Sequence, residues 1–295
     1  MSRRALITGV TGYIGGELAK RLLADGWQVD AIVRPQSDVA ALPFGTTVKL
    51  HTVDSRRDLT SAVAFAKPDI VFHLASLYLA DHKSDQIPAL VESNILFPAL
   101  LAEAMAANGV RHLINTGTAW QHFKGEEYLP VNLYAATKQA AEDLLLYYAD
   151  AHNLSVVTLR LFDTYGMGDK RRKLIQILID AVRSGLPLDM SPGEQVVDMT
   201  HVDDVIDAFL IAADTVSRID PGTHEAFFVS GERYQVKSLV NLVAGVSKRT
   251  LQVNFGGRPY RQREVMTPIA SDGRVLPGWQ ARRTLVDEIE RQLHL

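Results

Sequence analysis

The sequence predicts an α/β protein, a doubly wound parallel sheet with a smaller C-terminal lobe. Three observations predict it. Short apolar runs alternate with helix-periodic segments through the first 165 residues, the pattern of strands covered on both faces by crossover helices. A glycine-rich turn, in "ITGVTGYIGGELA", joins the first run to the first helix. Beyond residue 165 the alternation loosens, and Pro187, Pro192, Gly193, Pro221, Gly256, Gly257 and Pro259 punctuate shorter elements.

In order, "RALITG" reads as a buried strand ending at Gly9. "GGELAKRLLADG" reads as a helix with Ile14, Leu18 and Leu22 on one stripe and Gly26 as its stop. "WQVDAIVR" is the second strand, closed by Pro35; "TVKLHTVD" is the third and "PDIVFHLAS" the fourth. Helices are expected at 56–67 and 88–107, then the strand "VRHLINTGT", a helix over 133–151 and the strand "LSVVTLRLF". Residues 1–165 are thus expected to form a dinucleotide-binding domain. Residues 166–295 form mainly a substrate lobe, with some elements returning to the first domain.

Composition narrows the function classes. The 295 residues suffice for a full core, and a net charge of -3 gives no electrostatic case for nucleic acid or an anionic membrane. The absence of cysteine excludes disulfides, thiolate metal sites and a cysteine nucleophile. The nine histidines are scattered without ligand spacing, so no metal is expected. No apolar stretch reaches the roughly 18 residues of a membrane span, which fits a soluble, cytoplasmic enzyme.

Gly9, Gly12 and Gly15 lie between the first strand and first helix. Glycines there permit a tight turn and close backbone approach to a pyrophosphate, and the helix N-terminus supplies N–H donors. The spacing is G-x-x-G-x-x-G rather than the general G-x-G-x-x-G, in the strand–turn–helix context of a Rossmann-type site. At the end of the second strand stand Val33 and Arg34, followed by Pro35, Gln36 and Ser37. Asp30 lies too early in that strand to take a ribose. Arg34 offers a charge-assisted fork for a 2′-phosphate and Ser37 a hydroxyl. The expected cofactor is therefore NADP(H), with NAD(H) possible. Further along, "VNLYAATKQA" places Tyr134 and Lys138 at i and i+4, on one helix face.

These motifs resemble the extended short-chain dehydrogenase/reductases, also called the NAD-dependent epimerase/dehydratase family. The carriers are "TGVTGYIG", "VFHLAS", "YAATK", "HVDDV" (201–205), "GRPYRQREV" (257–265) and "PGWQARRTLVDEI". Within the family, "PVNLYAATKQA", "LFDTYG" and "MSPGEQ" look like nucleotide-deoxysugar 4-ketoreductases of the CDP-abequose synthase type. The resemblance implies a catalytic set of Thr118, Tyr134 and Lys138. It implies cofactor contacts from Thr11, Tyr13, Ile14, Asp54, Ser55, Leu74, Ala75 and Asn94, and from Tyr134 and Lys138 themselves. It implies substrate contacts from Ser76, Trp120, His122, Asp163, Lys173 and Arg261, with a nucleotide-linked sugar as partner. Two positions depart from the pattern. Asp163 replaces the family's usual asparagine, placing a carboxylate where phosphate is bound, and Val197 stands where an arginine often precedes "HVDD".

The expected chemistry is delivery of a hydride to the 4-keto carbon of a nucleotide-linked 6-deoxyhexose. Tyr134 donates the proton and Thr118 orients the oxygen. A tyrosine ordinarily titrates near 10, and the Lys138 ammonium one turn away is expected to bring it down. Family dehydratases carry Asp-Glu after the threonine. Here those positions are Ala119 and Trp120, which transfer no proton. The alternatives are a 4-epimerase with tightly held NAD and a non-catalytic NAD(P)-sensing regulator. The apolar surplus in the helices at 88–107 and 134–150, including Leu144, Leu145, Leu146, Tyr147 and Tyr148, predicts a homodimer.

Overall fold

The computed structural model describes residues 2–40, 42–44, 46–269 and 274–294. Its strands are β1 (Arg4–Thr8), β2 (Gln28–Val33), β3 (Lys49–Thr52), β4 (Ile70–His73), β5 (His112–Thr118), β6 (Ser155–Leu161), β7 (Asp163–Tyr165), β8 (Leu188–Met190), β9 (Val196–His201), β10 (His224–Val229), β11 (Glu232–Gln235) and β12 (Val253–Phe255). Its helices are α1 (Tyr13–Ala24), α2 (Arg56–Ala66), α3 (Ile87–Val91), α4 (Phe97–Ala107), α5 (Leu133–His152), α6 (Leu174–Ser184), α7 (Val202–Val216), α8 (Val236–Ser247) and α9 (Leu285–Leu293).

Seven strands form a parallel sheet in the order β10-β6-β5-β4-β1-β2-β3. The chain runs outward from β1 through β2 to β3, then restarts at β4 and runs the other way. The strand order therefore reverses between β1 and β4, where the carboxyl ends of an open α/β sheet leave a crevice. The strands read as continuous apolar runs because helices cover both faces. On one face α1 and α7 bury Leu18, Leu22, Val205 and Phe209 over β1, β4 and β6. On the other, α2, α4 and α5 bury Leu59, Val63, Leu101, Met105 and Leu145.

Two smaller sheets, β11-β9-β7 and β12-β8, pack with α6, α8 and α9 around a separate core that includes Leu178, Ile179, Leu239 and Ile289. β10 and α7 come from the second half of the chain but belong to the main sheet and its cover. α3 and α4 are joined by a π-helical turn, Glu92–Leu96. The run Ser84–Ala107 contains an 18-residue window of mean hydropathy 1.4, long and apolar enough to cross a membrane by length and composition alone. This corrects the expectation of no such stretch. Here it packs against α2 and α5, as a core helix does.

Candidate active site

The glycine loop closes on the crevice. Gly9 has φ +81° and lies so near the end of β4 that a Cβ would stand 2.6 Å from the Ala75 nitrogen. At Gly15 a Cβ would stand 2.2 Å from the Gly9 carbonyl oxygen. Backbone thus fills both places, and only glycine fits. α1 starts at Gly12 with no side-chain cap, whereas Ser55, Asn132 and Thr284 cap α2, α5 and α9. The first N–H groups of α1 are left for an anion, so the loop fits a pyrophosphate.

Thr8 and His73 hold the loop from below. The Thr8 hydroxyl accepts the Ala75 N–H at 3.1 Å and stands 2.8 Å from His73 Nδ1. Burial, aided by the Lys138 charge, pushes the His73 imidazole down to about 3. At the end of β2, the Arg34 N–H donates to Ser37 Oγ at 3.0 Å, forming a turn that leaves Arg34 exposed. Asp30 is buried within β2 against His51 Nε2 of β3, at 2.6 Å. Asp54 is exposed beyond β3, beside Ser55.

Asn132 caps α5 by accepting the Ala135 N–H at 2.9 Å, which sets Tyr134 in the first turn and Lys138 one turn on. Thr118 ends β5 at the same edge of the sheet. Its Oγ1 accepts the Trp120 N–H at 3.3 Å, so its own hydrogen is free to donate. Burial raises the Tyr134 phenol above the usual tyrosine value; a hydrogen bond with Ser76 and the positive charge of Arg171 oppose it. Arg171 thus adds a positive charge near Tyr134 that the helical spacing does not show. Burial lowers the Lys138 amine to about 8, against the pull of Glu142. The Tyr78 ring stands edge-on to Tyr134 at 5.0 Å and 6.1 Å from Trp120.

A cleft of about 970 Å³ opens beside this set, toward the second core, and Trp120, His122, Asp163, Lys173, Arg258 and Arg261 border it. Lys173 lies 3.5 Å from Asp163, so the carboxylate that departs from the family pattern carries its own counter-charge. Arg261 is exposed on the wall. His122 is buried and its Nε2 has no partner among the described residues.

A family model described as "NAD dependent epimerase/dehydratase family" matches residues 5–227. The chain belongs to this family. It is 29% identical over 267 residues to the CDP-abequose synthase of Yersinia pseudotuberculosis, covering 90% of this chain and 91% of that protein. It is 31% identical over 229 residues to the UDP-glucose 4-epimerase of Mycolicibacterium smegmatis, covering 71% of this chain and 72% of that one. Among solved structures, MoeE5 in complex with UDP-glucose and NAD superposes with a TM-score of 0.83 at 27% identity, over 99% of this chain and 97% of that one.

Other epimerase/dehydratase motifs hold the frame around the cleft. His201 caps α7, and buried Asp204 accepts the Arg282 and Arg283 N–H groups at 3.0 Å. "HVDDV" thereby anchors the segment leading to α9. In "GRPYRQREV", Arg263 donates to the Val131 and Pro130 carbonyls at 2.9 Å, tying this loop to the entry of α5. Asn94 is buried; its amide accepts the Leu77 N–H at 2.8 Å and donates to the Leu77 carbonyl and Thr137 Oγ1. It joins the π turn to the loop after β4 and to α5. The sequence reading gave no part to His73, Tyr78 or Arg171. The histidine in "VFHLAS", the last residue of a strand running into the crevice, was a legible signal; the other two were not marked by spacing.

Proposed function

We propose that this protein reduces the 4-keto group of a nucleotide-linked 6-deoxyhexose with NADPH. The observation that carries the reading is a site with one proton donor. Tyr134, beside Thr118 and Lys138, is raised by burial and so held as a neutral phenol, while the next positions on the β5 side are Ala119 and Trp120. Reduction of a ketone needs one hydride and one proton, whereas water elimination needs an acid and a base. The similarity to the Yersinia CDP-abequose synthase over nine-tenths of both chains supports a deoxysugar substrate.

Residues 1–165 serve mainly the cofactor and 166–295 mainly the sugar nucleotide. The α1 N-terminus, Gly9, Gly12 and Gly15 hold the pyrophosphate, with Thr11, Tyr13 and Ile14 around it. Asp54 and Ser55 take the adenine side, and Leu74, Ala75 and Asn94 the crevice wall. Arg34 and Ser37 receive the 2′-phosphate, which is why NADP(H) is preferred. When bound, the cofactor supplies the hydride. Thr118 donates its free hydrogen to the substrate carbonyl oxygen and fixes it beside Tyr134. Tyr134 gives its proton to that oxygen as charge develops there. Lys138, with an amine near 8, is mostly ammonium at neutral pH and holds the nicotinamide ribose. Lys173 and Arg261 meet the diphosphate, Lys173 offsetting Asp163. Ser76, Trp120 and His122 shape the sugar pocket.

The partly exposed Ile87, Val91, Leu96, Leu146 and Tyr147 on α3, its π turn and α5 supply the self-complementary face of a homodimer.

A panel of NDP-4-keto-6-deoxyhexoses, followed by NADPH absorbance, tests the activity. Consumption with at least one member is expected; no consumption with any overturns it. The second reading is a 4-epimerase, favoured by the similarity to the Mycolicibacterium enzyme. Its mark is NAD retained through purification.

A further inference from the structure

Behind Thr118 lies a buried polar chain that the reaction does not use. The Thr118 N–H donates to Gln121 Oε1 at 2.9 Å. Gln121 Nε2 donates to Glu142 Oε2 and to Gln139 Oε1, each at 2.8 Å. Arg160 Nη2 of β6 donates to the other Glu142 oxygen at 2.5 Å. Gln121 is 0% and Glu142 2% exposed. Even the strand end is shaped for it: a Cβ at Gly117 would stand 3.0 Å from Gln121 Oε1 and 3.1 Å from Arg160 Cγ.

Glu142 is one turn past Lys138, so Tyr134, Lys138 and Glu142 form one stripe of α5. A buried ion pair is a weak route to stability, since apolar side chains of similar volume commonly serve as well. Its place on the catalytic stripe gives another reason for it. We propose that Glu142 is a positioning residue: through the Gln121 amide it ties the strand-end Thr118 to the helix stripe of Tyr134 and Lys138, so that all three meet the substrate as one rigid set. The inference rests on the reading of these three as the reacting groups.

The neighbours of Glu142 are Arg160, Lys138, His122 beyond β5, and His224 of β10. His224 Nε2 lies 3.8 Å from Glu142 Oε1 and 2.8 Å from Thr158 Oγ1. His73 at the end of β4 in turn feels the Lys138 charge. Burial holds His73, His122 and His224 below the usual histidine range. They are therefore neutral above pH 7, where Lys138 loses its proton.

The test uses Glu142→Gln and the double variant Glu142→Leu/Arg160→Met, which removes both charges and leaves no lone buried charge. Folding is checked by melting temperature. NADPH affinity is then titrated against pH, which needs no sugar. In the wild type, affinity should fall as pH rises past about 8, where Lys138 deprotonates. In Glu142→Gln, loss of the carboxylate that raises Lys138 should move this fall roughly one pH unit lower; in the double variant, which also loses the Arg160 cation, the shift should be smaller. With a sugar substrate, kcat should fall roughly tenfold or more while KM stays within about threefold. A folded Glu142→Gln with the fall in its wild-type place overturns the proposal, as does a wild type without such a fall. Absence of turnover across the sugar panel counts against the proposed reaction instead, because the binding arm stands apart from it.

Discussion

Two adjacent glycines should respond oppositely to the same substitution. In Gly15→Ala the new Cβ would meet the Gly9 oxygen at 2.2 Å, the Gly9 carbonyl carbon at 2.8 Å and Val10 Cα at 3.2 Å. All three are backbone atoms of the phosphate turn, so no rotamer change relieves them. Reaching ordinary contact moves the turn away from α1 by about 1 Å, and overpacking of this kind costs roughly 1–3 kcal/mol. Borne by the free protein, that lowers Tm by roughly 2–10 °C. Borne by the complex, it weakens NADPH binding roughly five- to hundredfold. In Gly16→Ala the Cβ meets only the Val10 oxygen, at 3.4 Å. Alanine within a helix there should gain about 0.5–1 kcal/mol and leave binding unchanged. Fluorescence titration with NADPH and a thermal melt on both variants decide it. If Gly15→Ala binds and melts like wild type, or Gly16→Ala is damaged equally, the account of the loop is wrong.

Other outcomes follow from the same site. Arg34→Ala should lower the ratio of kcat/KM for NADPH over NADH on the order of ten- to a hundredfold, the worth of a hydrogen bond to a charged group; a wild type preferring NADH contradicts this. Tyr134→Phe should abolish turnover and leave NADPH affinity within a few-fold, because only the proton is removed. His73, at about 3 in the fold, takes a proton in the unfolded chain near 6.5. Stability should therefore drop as pH falls from 6.5 toward 3, by up to about 1.4 kcal/mol per pH unit, and urea midpoints should show a shallower drop in His73→Asn. Light scattering at micromolar concentration should give the mass of a dimer, and a monomer mass refutes that assignment.

The sheet was legible because its signals are local: buried apolar runs, glycine stops and a strand-turn-helix loop. Tyr134 and Lys138 were legible for the same reason, since helical spacing puts them on one face. What escaped depends on residues far apart in the chain. Glu142 reads as an ordinary helix carboxylate until Gln121 and Arg160 are folded onto it. Arg171 reads as one of several surface cations, yet its charge reaches Tyr134. The π turn at Glu92–Leu96 also escaped, because the apolar pattern runs through it unbroken. Its use shows only once Asn94 is seen to hold Leu77 and Thr137.

The central claim is net reduction at C4 by an added cofactor. It is tested most directly by incubating the enzyme with an NDP-4-keto-6-deoxyhexose and NADPH deuterated at the transferred position, then analysing the sugar by NMR. The account predicts one NADPH oxidised per sugar consumed, with deuterium at C4 of the product. Interconversion of C4 epimers with no NADPH oxidised and no deuterium incorporated would contradict it.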